Sequence, residues 1–135
     1  MTGRKLDDTL STSPQVTPDE LEIIAAAGFR AVISNRPDGE DPGQPTAAEM
    51  KAAADEFGLA FRHIPVTGGG IGPSDIQAMA EALDTLPGPI FGFCRTGTRT
   101  AMLWALAKAP TSDPDTLIAA ARDAGYDLSG LRSRL

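Results

Sequence analysis

Short apolar runs alternate with longer mixed stretches along the chain, a pattern that predicts strands separated by helices. Leu6 to Ser11 reads as a first edge strand, and Thr17-Pro18-Asp19-Glu20 as a helix start. Thr17 serves there as N-cap, Pro18 sits in the first turn, and the acids lie at the positive helix end. That helix is expected to run to Ala27 and stop at Gly28. Phe29 to Ser34 reads as a buried strand, and Asn35 to Pro45, rich in Pro, Gly and Asp, as a loop. Thr46 caps a second helix through Phe57, stopped by Gly58, before a strand over Leu59 to Val66 and a turn at Thr67 to Gly70. A third helix spans Pro73 to Leu86, and Pro87-Gly88-Pro89 breaks it. Ile90 to Phe93 is a short, wholly apolar strand. Helices follow over Thr98 to Lys108 and from Asp113-Pro114 to near Gly125, with a last short turn from Ser129.

Strands alternating with helices imply an α/β domain whose small, mostly parallel sheet of about four to five strands is covered on both faces. Its 135 residues suit a single domain over 1–135, and 41% hydrophobic content is enough to build a core. The net charge of −6 argues against a nucleic-acid or anionic-membrane partner. An anionic substrate would therefore be drawn by local positive charge. The N-terminus lacks the apolar stretch of a signal peptide, and the longest strongly apolar run, Ala101 to Ala107, is too short to span a bilayer. The expectation is a cytoplasmic protein with no membrane contact. With one cysteine and one histidine, the usual zinc frameworks cannot be assembled, and no cofactor is expected.

That cysteine, Cys94, directly follows the apolar strand, in the stretch Cys94-Arg95-Thr96-Gly97-Thr98-Arg99 that leads into a helix. A thiol at its ordinary pKa of ~8.5 is mostly protonated at neutral pH and a poor nucleophile. Here the helix N-terminus and two arginines favour the thiolate, and Thr98 and Thr100 are candidate hydroxyl donors to it. Gly97 permits a backbone that turns successive N–H groups toward an anion, and Arg99 can grip an oxyanion with its planar fork. An inert core thiol would need none of these neighbours. The strand-end loop carrying Arg36 makes that residue a further candidate for the anion pocket. His63 lies at the end of a strand, where a hydrogen bond to neighbouring backbone explains it more simply than a role in the site.

In outline the Cys94 loop is shared by cysteine-dependent phosphatases, which carry Cys-x5-Arg followed by Ser or Thr, and by rhodanese sulfurtransferases, whose loop is shorter. Four residues, not five, separate Cys94 from Arg99, so the length matches the rhodanese type. Four stretches together are similar to the beta-lactamase-hydrolase-like family, phosphatase-like domain, over roughly residues 4 to 108. They are Ser13 to Pro18, Asn35 to Glu40, His63-Ile64-Pro65-Val66, and Cys94 to Thr100. The resemblance implies a fold like that of dual-specificity phosphatases. It also implies a link to persulfide dioxygenases or sulfide-oxidising enzymes, to which such domains occur fused. The chain has no His-rich metallohydrolase motif and would be a stand-alone form.

Phosphatases of this fold place a general-acid Asp on a mobile loop, and the corresponding segment here, Val66 to Ile71, has none. Asp38 and Asp75 are the candidate acids. Without a placed acid, ester cleavage would lose roughly 10²–10⁴ in rate. The expectation is therefore a sulfurtransferase that forms a Cys94 persulfide from thiosulfate or glutathione persulfide and passes the sulfur to a thiol or cyanide acceptor. Alternatives are a phosphatase working through a Cys94 phosphocysteine and a non-catalytic oxyanion- or persulfide-binding module. In either enzyme Cys94 and Arg99 are the catalytic pair, and Arg95, Thr96, Gly97, Thr98, Thr100 and Arg36 bind the anion.

Overall fold

The computed structural model describes residues 3–67 and 70–135. Its strands are β1 (Arg4–Lys5), β2 (Leu10–Ser13), β3 (Ala31–Ser34), β4 (Ala60–His63) and β5 (Ile90–Phe93), in the order β1-β2-β5-β3-β4. All pairings are parallel except β1 with β2. The helices are α1 (Glu20–Ala26), α2 (Ala47–Glu56), α3 (Pro73–Thr85), α4 (Thr98–Lys108) and α5 (Pro114–Asp123), followed by a 3-10 helix over Ser129–Arg134. The expected α/β domain with five strands is present, and among the described residues no helix is long and apolar enough to cross a membrane.

The first strand departs from expectation. Asp7 Oδ1 accepts the N–H groups of Thr9 and Leu10, both at 2.8 Å, and this local turn breaks the stretch 6–11 into a hairpin. The outer strand is therefore Arg4–Lys5, while Leu10–Ser13 lies inside the sheet against β5. The start of α1 also differs in detail. Thr17 and Glu20 form the reciprocal bonds of a capping box (2.8 and 3.3 Å), but the regular helix begins only at Glu20. At α2 the expected cap is in place: Thr46 accepts the Glu49 N–H and Glu49 reaches back to the Thr46 N–H.

Alternation along the strands sends successive side chains to opposite faces. Ala31, Ile33 and Ile90 pack with Met79 and Leu83 of α3 and with Leu103 and Trp104 of α4. Val32, Phe91 and Phe93 pack with Leu21 and Ile24 of α1 and Met50 of α2. Each of the buried Val, Leu, Ile, Met and Phe side chains among these contributes roughly 1.5–3 kcal/mol. Trp104 is buried in the core, and its indole N–H donates to Asp7 Oδ2 at 2.9 Å. Gly92 lets α4 approach the sheet, since a Cβ there would lie 2.7 Å from Thr100 Cγ2.

The parallel register matters most for function. Ser13 and Ser34 both align with Phe93, and His63 aligns with Ser34. Four strands thus end at one level, and the loops that follow them emerge side by side at the carboxyl edge of the sheet.

Candidate active site

The Cys94 loop is held from three directions by backbone and buried side chains. Asn35 N–H donates to Phe93 O (2.8 Å), Cys94 N–H to Ser13 O (3.4 Å) and Gln15 N–H to Arg95 O (3.3 Å). Gly97 adopts φ +93° at the cap of α4, a left-handed conformation that favours glycine. Its carbonyl accepts the Thr12 hydroxyl at 2.8 Å, and its N–H points at Cys94 Sγ at 3.0 Å. Behind the loop, the Tyr126 hydroxyl donates to Thr96 O at 3.1 Å. Burial and then the neighbouring Cys94 charge push the Tyr126 pKa up, so this hydroxyl stays a donor.

Cys94 is buried, and its loop neighbours Arg95, Thr96, Thr98 and Arg99 line an open pocket of about 530 Å³ together with Glu40, Asp41 and Met102. The Thr100 hydroxyl donates to Asn35 Oδ1 (2.8 Å), and Asn35 Nδ2 donates to Ile64 O (3.0 Å). Thr100 thus ties α4 to the loops after β3 and β4, rather than serving the thiol as anticipated. Thr98 accepts from the Thr96 hydroxyl at 3.0 Å. Sγ accepts the Gly97 N–H, and the Arg99 guanidinium lies beside it.

Arg99 is gripped end-on. Its Nη1 donates to Glu40 Oε2 (2.6 Å) and to Val66 O (2.9 Å), and its Nη2 to Glu40 Oε1 (2.9 Å). Three of its five N–H groups are engaged, which leaves Nε–H and the second Nη2–H, the side-on pair of the fork, for an oxyanion. The hydrogen bond to Glu40 holds the Arg99 pKa above its ordinary value, with a smaller contribution from Cys94.

Arg36 stands one layer back. Almost wholly buried, it donates from Nε to Glu40 Oε1 (2.9 Å), from Nη1 to Gln15 Oε1 (3.1 Å) and from Nη2 to Asp41 Oδ2 (2.5 Å). It does not line the pocket but fixes the two carboxylates that do. His63 Nε2 donates to Arg36 O at 2.8 Å, the backbone contact expected of it. Asp38 Oδ1 accepts the Ala47 N–H at 2.8 Å at the start of α2. Asp75 Oδ2 accepts the Gly72 N–H at 2.9 Å at the start of α3. Both carboxylates are thus engaged at helix N-termini and lie outside the pocket lining. The expected turn over Thr67 to Gly70 falls largely outside the described residues, which omit Gly68 and Gly69.

Sequence reasoning missed Glu40 and Asp41. They lie in a loop recognisable as polar, and the available signal was that this loop follows a buried strand. Choosing among Asp38, Glu40 and Asp41 required their partners.

Glu40 also carries a pH signature. The Arg99 hydrogen bond, supported by Arg36 and opposed by burial, lowers its pKa from 4.5 to about 2. A depressed carboxyl pKa contributes stability that is fully present above the unfolded value, here about pH 4.5, and is lost as pH falls toward 2. Urea unfolding between pH 2 and 7 is expected to show this loss in wild type and a flatter acid limb in Glu40→Gln. Equal acid limbs would rule out the pairing in solution.

Residues 3–111 match the family model described as beta-lactamase hydrolase-like protein, phosphatase-like domain. A curated beta-lactamase hydrolase-like protein from Xylella fastidiosa (strain Temecula1) is 41% identical over 103 residues, 76% of this chain and 24% of the relative. One from Agrobacterium fabrum is 35% identical over 109 residues, 81% of this chain and 25% of the relative. The chain thus spans about a quarter of the length of these curated relatives. Among solved structures, a candidate phosphatase from Neisseria meningitidis is 36% identical with TM-score 0.87, covering 99% of this chain and 96% of that one. TpbA from P. aeruginosa, solved in complex with pTyr, shares the fold at 16% identity and TM-score 0.62, over 94% and 85% of the two chains. The chain belongs to the phosphatase-like domain family of beta-lactamase hydrolase-like proteins, on a fold shared with protein-tyrosine phosphatases.

Proposed function

We propose that this domain is a cysteine-dependent phosphatase acting on phosphate monoesters. The observation that carries the reading is the pair of carboxylates, Glu40 and Asp41, on the wall of the pocket that the Cys94 loop lines. The case for sulfur transfer rested on the four-residue spacing and on the lack of an acid near the cysteine, and the carboxylates of the loop after β3 are candidates for that acid. The family match and the phosphatase neighbours point the same way.

In this reading Cys94 thiolate attacks phosphorus in line with the leaving oxygen. The S–P bond forms as the P–O bond breaks, and the leaving oxygen takes a proton. Water then hydrolyses the phosphocysteine to release inorganic phosphate. Arg99 meets the developing charge on the phosphoryl oxygens through its free Nε–H and Nη2–H. The Gly97 N–H steadies the sulfur as thiolate, both as the attacking and as the departing group. Glu40 keeps the guanidinium in place, so its geometry is set before substrate arrives.

The four-residue spacing between Cys94 and Arg99 favours a second reading, sulfur transfer through a Cys94 persulfide linked to persulfide or sulfide oxidation. Two assays separate them: hydrolysis of p-nitrophenyl phosphate and thiosulfate:cyanide transfer. Ester hydrolysis, with a trapped intermediate heavier by one phosphoryl group in intact mass spectrometry, is expected. Sulfur transfer without ester hydrolysis, with a gain of one sulfur atom instead, would overturn the phosphatase reading.

A further inference from the structure

The two pocket carboxylates are held in different ways. Both oxygens of Glu40 are engaged: Oε1 by Arg36 Nε and Arg99 Nη2, Oε2 by Arg99 Nη1. Its side chain is 26% exposed and its pKa is low, so it remains a charged clamp on Arg99. Asp41 is bound through one oxygen. Oδ2 meets Arg36 Nη2 at 2.5 Å and, more loosely, Arg95 Nε at 3.4 Å, while Oδ1 has no partner among the described residues. The side chain is 47% exposed. Its backbone is nonetheless fixed, because Asp41 N–H donates to Gln44 Oε1 (3.2 Å) and Gln44 N–H to Asp41 O (3.4 Å). The result is a carboxyl at a set place on the pocket wall with one oxygen free.

Resting on the phosphatase reading, we propose that Asp41 is the proton donor to the leaving oxygen, from the loop after β3, with Glu40 a positioning residue for Arg99. As the S–P bond forms and the ester P–O bond breaks, the proton on Asp41 passes to the leaving oxygen, giving an alcohol or phenol and the Asp41 carboxylate. In the second step the carboxylate takes a proton from water while the water oxygen attacks phosphorus. The P–S bond then breaks, and thiolate, inorganic phosphate and protonated Asp41 are regenerated.

The charged groups facing Asp41 are Arg36 and Arg95, with Glu40 and Arg99 also at the pocket.

The test compares a poor leaving group, phenyl phosphate, with a good one, p-nitrophenyl phosphate. In Asp41→Asn, phenyl phosphate turnover is expected to fall by roughly 10²-fold, and p-nitrophenyl phosphate turnover by under about tenfold, because a good leaving group needs little protonation. Inhibition by inorganic phosphate should be unchanged, which also reports an intact pocket, and Asp41→Ala should repeat the pattern. Glu40→Gln is expected to lower both substrates by the same factor and to weaken phosphate inhibition, as loss of a clamp on Arg99 would. Equal losses on the two substrates in Asp41→Asn and Asp41→Ala, or no loss on either, would overturn the assignment of Asp41. Failure of wild type to hydrolyse either ester would instead remove the phosphatase reading itself, and the assignment with it.

Discussion

Cys94→Ser is expected to lose phosphate-ester turnover by at least roughly 10⁴-fold while keeping the fold and the ability to bind inorganic phosphate. A serine hydroxyl remains protonated at neutral pH, and no general base stands at Sγ to activate it. The groups on Sγ are the Gly97 N–H at 3.0 Å and the neighbouring Arg99 guanidinium, donors that stabilise an anion but cannot remove a proton. The change leaves the loop's other ties untouched, from Thr12 to Gly97 O and from Asn35 to Phe93 O, so the anion cradle should persist. Steady-state turnover of p-nitrophenyl phosphate, beside thermal unfolding with and without phosphate, checks both halves. Turnover within tenfold of wild type would mean that Cys94 is not the nucleophile.

The second large effect is expected at Arg99. Arg99→Lys keeps the charge but should cost roughly 10²–10³ in kcat/KM. A lysine ammonium cannot donate end-on to Glu40 and Val66 O while offering a second, coplanar pair of N–H groups to an oxyanion. In the native site those tasks are split between the two sides of one rigid fork. The substitution should also weaken inhibition by inorganic phosphate, because the lost contact is to the phosphoryl oxygens themselves. If Arg99 acts as a point charge, Arg99→Lys will instead remain within about tenfold of wild type with unchanged phosphate inhibition. Combining it with Glu40→Gln provides a double-mutant cycle, in which the two losses should not add, since Glu40 acts through Arg99.

Much of this could be argued from local sequence. The apolar run Ile90 to Phe93, followed by Cys94, two arginines and Gly97, placed an anion-binding loop at a strand end and the start of a helix. The structure has β5 and α4 on either side of it. The Thr46 cap, the Pro73 start and the helix from Asp113-Pro114 were legible for the same reason: capping and proline effects act within a few residues. The hairpin at the N-terminus is not legible in the same way, because the side chain of Asp7 satisfies backbone donors that would otherwise continue the strand.

The proposed acid was not legible. Asp38, Glu40 and Asp41 share one short loop, and no spacing rule distinguishes a helix cap from a clamp or a free carboxyl. Asp38 is drawn to the N-terminus of α2, Glu40 to Arg99, 59 residues further along the chain, and Asp41 to Arg36 and Arg95. Those assignments depend on β3 lying directly beside β5 with Ser34 opposite Phe93, a long-range pairing. By itself the sequence determined the candidate nucleophile loop, because a short stretch of adjacent residues carries its chemistry. Only the tertiary structure decided what faces that loop. The parallel register brings a distant acidic loop to the same edge of the sheet, and this shifts the reading from sulfur transfer to phosphoryl transfer.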